Sequence, residues 1–316
     1  MSVADVISLL GGIALFLFGM SLMGEGLKKV AGSRLELVLY KLSSTPLKGV
    51  LLGTGVTAVI QSSSATSVMV VGFVNSGMMK VKQAIGVIMG AILGTSVTGW
   101  ILCLSSLEGG SGVVQLLRTE VLTVAVVGII LRMFTGKTSN RYVGEILLGF
   151  AVLMYGMSAM SGAVSPLRES EAFIRILTSF SNPILGILVG LAFTSVLQSA
   201  SAAVGILQAL ASTGQVSYAA AVPIIMGQNI GTCVTALISC VGTNKNAKRA
   251  AVVHLMFNVI GVAVLLTVFC IVKAIFAPAI LDRPATMYGI AIAHSVFNIL
   301  CTAMLLPAGT LLEKLA

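Results

Sequence analysis

Apolar residues fill this chain in runs, and the polar residues that interrupt them fall at regular places. Residues 5–27, 113–134, 143–163, 250–273 and 286–306 are each about 20 mostly apolar residues, the length that crosses a bilayer as a helix. Residues 47–60 and 66–79 are apolar limbs too short to span alone, with QSSSA between them. Residues 183–197 and 203–216 repeat that arrangement around QSASA. A half-length limb, a polar tip and a second half-length limb predict a re-entrant hairpin. Residues 83–104 and 218–241 are long enough to span, and Gly94-Thr95-Ser96 and Asn229-Ile230-Gly231-Thr232 predict a break in each. Residues 33–44 alternate charge and apolar character at helical spacing, which predicts an interfacial helix.

The pattern is duplicated. Shifting the chain by 137 residues aligns Gly19-Met20-Ser21 with Gly156-Met157-Ser158, Pro46 with Pro183, Gln61-Ser62 with Gln198-Ser199, and Ile88-Met89-Gly90 with Ile225-Met226-Gly227. Between residues 19 and 98 the shift yields 25 identities in 80 positions. Apolar bias would match Leu, Val and Ala, whereas here Pro, Gln and Met match at one fixed offset. The expected organisation is repeat 1 over 1–137 (hairpin 47–79, broken helix 83–104), repeat 2 over 138–274 (hairpin 183–216, broken helix 218–241), and an extra C-terminal helix within 275–316. If each hairpin re-enters, each repeat crosses three times and the second is inverted relative to the first.

Composition agrees with a membrane fold. Of 316 residues, 57% are hydrophobic and 9% charged, with a mean hydropathy of +1.06. That is too little charge to wet a globule, and the runs are too continuous for a β-barrel. The net charge of +9 reads as topology, not as nucleic-acid binding. On the inverted-repeat layout 14 basic residues, Lys28, Lys29 and Lys248 among them, fall on one face and five, Arg175 and Arg283 among them, on the other. The positive-inside bias makes the first face cytoplasmic, which sets the N-terminus outside and the C-terminus inside a multi-pass protein of the plasma membrane. Asp5, in place of a basic n-region, makes 5–27 a spanning helix and not a cleaved signal. The five cysteines show no metal-ligand or redox spacing and read as packing residues.

Hydroxyls and amides at membrane depth are costly unless protein, water or ligand satisfies them. A single Ser bonds the carbonyl one turn back, but Gln followed by clustered Ser, twice and at one repeat position, points to a site. The second limb of each hairpin starts at the tip, so its unpaired N–H groups point there and favour an anion. Ser hydroxyls donate to anion oxygens, while Gln, Thr and carbonyl oxygens hold a cation. Neither tip nor break contains Lys or Arg. An anion there keeps an uncompensated charge, which argues for co-bound cations. His254 and His294, each followed four residues later by Asn258 or Asn298 (HLMFN, HSVFN), read as interhelical hydrogen-bonders. No nucleophile elbow, metal-ligand spacing or carboxylate pair is present, so an enzyme is not expected.

These tips, each followed by an IMG…GT…VT segment, and VPIIMGQNIGTCVT (222–235) above all, resemble the type II sodium–phosphate cotransporter family, in its bacterial form without a soluble tail domain. The resemblance covers about residues 15–241. It implies sodium-coupled uptake of inorganic phosphate by alternating access, with sodium as the co-transported ion and the bilayer as surroundings. Carried over residue by residue, it puts Gln61, Ser62, Ser63, Ser64, Gln198, Ser199 and Ser201 at phosphate. For sodium it implies Thr57, Thr66, Thr95, Ser96, Thr98, Thr194, Asn229, Thr232 and Thr235. Ala200 stands where the family repeats Ser, and Ile92 stands opposite Asn229 in the other repeat. The alternatives are a sodium-coupled carrier of another oxyanion, such as sulfate or a dicarboxylate, and a phosphate-sensing membrane subunit without turnover. Sequence leaves open whether the chain forms a homo-oligomer.

Overall fold

The computed structural model of the protein describes residues 3–31, 45–103, 112–164 and 182–316. The interfacial helix expected at 33–44 lies outside them. Every described element is a helix: α1 (Val3–Ala31), α2 (Pro46–Ile60), α3 (Ser63–Asn75), α4 (Val81–Cys103), α5 (Gly112–Phe134), α6 (Thr138–Val164), α7 (Pro183–Leu197), α8 (Ala200–Ala211), α9 (Tyr218–Gly231), α10 (Cys233–Ser239), α11 (Lys245–Phe276), α12 (Met287–Leu305) and α13 (Gly309–Leu315). Among the described residues, six stretches are long and apolar enough to cross a membrane: α1, α4, α6, α9 with α10, α11 and α12. The four limbs α2, α3, α7 and α8 are shorter apolar helices. The protein is thus a multi-pass membrane protein, all-helical among the described residues. α2 and α7 lie at the 137-residue offset to the residue at both ends.

Glycines set the packing. α2 lies alongside α4 in the same direction: a Cβ on Gly53 would stand 2.1 Å from the Val87 carbonyl oxygen, and one on Gly90 2.0 Å from that of Val50. α7 and α9 repeat this contact, with Gly190 against Ile224 and Gly227 against Ile187. Since α2 and α4 run in parallel, the intervening α3 brings the chain back. α1 and α6 run antiparallel, with Gly19 against Gly149 and Gly12 close to Met160. α4 is mostly buried and is the helix around which the tips, α8 and α12 gather.

The expected breaks differ from what is found. α4 continues unbroken from Val81 to Cys103 through Gly94-Thr95-Ser96. Thr95 Oγ1 donates to the Ala91 carbonyl at 3.2 Å, so its hydroxyl is satisfied within the helix. Gly94 serves close approach, since a Cβ there would meet Thr54 O at 2.7 Å. In the second copy the helix is interrupted only at Thr232, between α9 and α10, with the backbone still near helical values (φ −63, ψ −25). A short α13, unanticipated from sequence, follows α12.

Candidate functional site: two hairpin tips

Each hairpin is built by one local rule. α2 begins at the N-cap Thr45 with Pro46 next, and α7 at Asn182 with Pro183 next. Proline suits the first helical position because it has no N–H to leave unpaired. Both limbs end on a glutamine forced into the left-handed region, Gln61 at φ 58 and Gln198 at φ 52. The amide of each donates to the threonine four residues back, Thr57 O and Thr194 O, at 2.7 Å. Side chains other than Gly seldom adopt this conformation, and such positions concentrate at functional sites. The next residue, Ser62 or Ser199, is extended and N-caps the second limb, its Oγ accepting from the amide of Ala65 (3.1 Å) or Ala202 (3.2 Å). The first amides of α3 (Ser63, Ser64) and α8 (Ala200, Ser201) have no carbonyl within their helices to bond, so each tip presents partial positive charge.

The structure brings the two tips together. Ser64 Oγ donates to the Gln198 carbonyl at 3.3 Å. Ser201 Oγ donates to Thr98 Oγ1 at 3.4 Å, and Thr98 Oγ1 donates to Gln61 Oε1 at 2.9 Å. Gln61 Nε2 donates to the Ala58 carbonyl. Ser63, Ser64, Ser201 and Thr98 are buried. Both N-cap serines, Ser62 and Ser199, line one cavity of about 300 Å³, with Gln61 beside them and Ser21, Glu25 and Lys28 of α1 along its wall. It has room for a small oxyanion. The Gln198 side chain is exposed and the Gln61 side chain buried, so the two tips are not equivalent in detail.

The residues that the resemblance assigned to sodium divide into four sets. Thr57, Thr66 and Thr98 adjoin the tips: Thr57 Oγ1 donates to Thr66 Oγ1 at 2.9 Å, and Thr66 Oγ1 to the Ser62 carbonyl at 3.1 Å. Thr95, Asn229 and Thr232 are engaged in their own helices; Asn229 Nδ2 donates to Ile225 O at 3.1 Å and Thr232 Oγ1 to Asn229 O at 2.6 Å. Thr194 Oγ1 and Thr235 Oγ1 are buried without a hydrogen-bond partner among the described residues. Thr194 lacks one because the residue matching Thr66 is Ala203.

Ser96 belongs to another cluster. Asn298 Nδ2 donates to Ser96 Oγ at 2.9 Å and to the Ile92 carbonyl at 3.1 Å, and Ser96 Oγ shares a 3.1 Å hydrogen bond with His294 Nδ1. In the second copy Cys233 stands for Ser96, and Asn258 Nδ2 donates to Cys233 Sγ at 3.3 Å and to the His254 carbonyl at 3.0 Å. The duplicated HxxxN phrases thus contact matching positions of α4 and α10. Their signal was present in sequence. The cavity positions of Glu25 and Lys28 left no signal there.

The sequence pattern of the Na+/Pi-cotransporter family matches this chain twice, over residues 15–162 and 152–295. The uncharacterized protein YqeW of Bacillus subtilis is 29% identical over 98% of this chain and 96% of its own length. YjbB of Salmonella typhimurium, named for inorganic phosphate export, is 28% identical over 83% of this chain, which spans 46% of that protein. The sodium-dependent phosphate transport protein 2B of Homo sapiens is 42% identical over 94 residues, 28% of this chain and 14% of its own length. No solved structure matches. With its two copies both recognised, this membrane protein belongs to the Na+/Pi-cotransporter family.

Proposed function

We propose that the chain is a sodium-coupled carrier of inorganic phosphate, working by alternating access through two inverted repeats that each give one hairpin tip to a shared site. The observation that carries this reading is the convergence of the two N-cap serines, Ser62 and Ser199, on one cavity. Two helix N-termini aimed at one place make an anion site. Ser63, Ser64 and Ser201 supply further hydroxyls nearby, and Gln61, Thr57, Thr66 and Thr98 offer neutral oxygens suited to sodium. Neither tip contributes a basic side chain, so co-bound cations supply the charge compensation. The antiparallel contact of α1 with α6 supports inversion of the second repeat, and the parallel course of α2 and α4 supports re-entrant hairpins.

Sodium entering down its gradient would draw phosphate inward. Export is the second reading, favoured by the name of YjbB and by a cavity that lies toward the end of α1 carrying Lys28 and Lys29. Flux of labelled phosphate in proteoliposomes, with the sodium gradient imposed inward, outward or abolished, tests both. Phosphate flux that follows the sodium gradient is expected. Phosphate flux indifferent to sodium would remove the coupling, and no phosphate flux with sulfate flux intact would change the substrate.

A further inference from the structure

Two charged side chains reach the cavity whose floor holds the tips, and both come from α1. Lys28 and Glu25 are one turn apart on that helix and line the same cavity as Ser62 and Ser199. Their neighbour Lys29 is already engaged: its Nζ lies 2.8 Å from Glu145 Oε2 and 5.5 Å from the centre of the Tyr142 ring. Lys28, by contrast, makes no ion pair among the described residues and is exposed. The ammonium is therefore available to a mobile ion in the cavity. The repeat does not duplicate it: the second copy has Gly162 and Ser165 at the sequence positions matching Glu25 and Lys28. Whatever these charges do, they do it from one side of a two-fold arrangement.

We propose that Lys28 and Glu25 form a one-sided loading subsite for inorganic phosphate and sodium. This rests on the phosphate-carrier reading above. An oxyanion in water meets no basic side chain at the tips, where helix dipoles and hydroxyls hold it only after it has shed water. A fixed ammonium along the approach raises the local concentration of anion before that step. Glu25 does the same for sodium, so each ion meets a group of opposite charge on its approach. The Lys28 effect requires charge, not a particular hydrogen-bond geometry, so an arginine serves in its place. It also weakens with salt, since exposed charges are screened over about 10 Å at 0.1 M ionic strength.

The test is phosphate transport in right-side-out and inside-out membrane vesicles carrying wild type, Lys28→Gln, Lys28→Arg and Glu25→Gln. Lys28→Gln is expected to raise the half-saturating phosphate concentration roughly three- to tenfold, the scale of one partly screened charge. That rise belongs to the face bearing the cavity and is absent at the other. High inert salt removes the difference between Lys28→Gln and wild type, Lys28→Arg restores wild-type behaviour, and Glu25→Gln shifts half-saturation for sodium at the same face. Wild-type transport with Lys28→Gln unchanged, or shifted equally at both faces, overturns this inference and leaves the carrier reading standing. Wild-type protein that moves no phosphate from either face overturns both.

Discussion

At the scale of single residues, a serine that holds a ligand and one that satisfies its own helix look alike in sequence. The clusters around Ser62 and Ser199 were legible because several hydroxyls and an amide interrupt apolar limbs, twice. The threonines were not. Thr95 and Thr232 spend their hydroxyls on carbonyls three or four residues back, a bond that needs no neighbour and leaves no trace in pattern. Lys28 was read only as part of the topological bias, because a lysine at a helix end is indistinguishable from one facing solvent. If the tips hold one phosphate, Ser63→Ala and Ser201→Ala should each weaken binding about ten- to a hundredfold, the worth of a hydrogen bond to a charged ligand, roughly 1.5–3 kcal/mol. Calorimetric titration with phosphate in sodium buffer measures this, and thermal unfolding checks that the fold survives. The double variant should lose less than the sum of the singles, since partners of one ligand couple. Additive losses would indicate separate sites.

At the scale of elements, the four limbs and six of the expected spans were legible to within about five residues, since length and continuity of apolar character decide them, while of the span expected at 113–134 the stretch Val121–Phe134 is found as a shorter apolar helix. The continuity of α4 through Gly94-Thr95-Ser96 was not legible. A glycine that lets a helix unwind and one that lets another helix approach share the same property, the missing Cβ, and only the neighbour distinguishes them. Gly94 has Thr54 and Thr57 against it. The same reasoning separates Gly90 from Gly72. Gly90→Ala would drive a methyl to 2.0 Å from the Val50 oxygen in the α2–α4 contact, whereas a methyl at Gly72 meets nothing within 4 Å. Gly90→Ala should cost at least the 1–3 kcal/mol or so typical of overpacking. Gly72→Ala should be neutral or gain up to about 1 kcal/mol of helix propensity. Melting temperatures of the two variants in detergent are expected to move in opposite directions or, at least, to differ by several degrees.

At the scale of the whole molecule, the basic residues predict that Lys248 faces the cytoplasm and Arg283 the outside. With Cys240 and Cys270 replaced, and the remaining cysteines buried, an impermeant thiol reagent on intact cells should label Arg283→Cys and spare Lys248→Cys. The reverse pattern would turn the orientation over. The pairing of α1 with α6 has a symmetry of its own. Gly12 and Gly19 of one match Gly149 and Gly156 of the other at the 137-residue offset, and the contacts are reciprocal: Gly19 meets Gly149, and Gly156 meets Gly12. Reciprocal contact between identical patches is how two copies of one small protein make a dimer. The seam therefore has, within one chain, the self-complementary geometry of an isologous dimer interface. Being one chain, it also carries differences that no homodimer could hold: Glu25 stands opposite Gly162, Ile92 opposite Asn229, and Thr66 opposite Ala203.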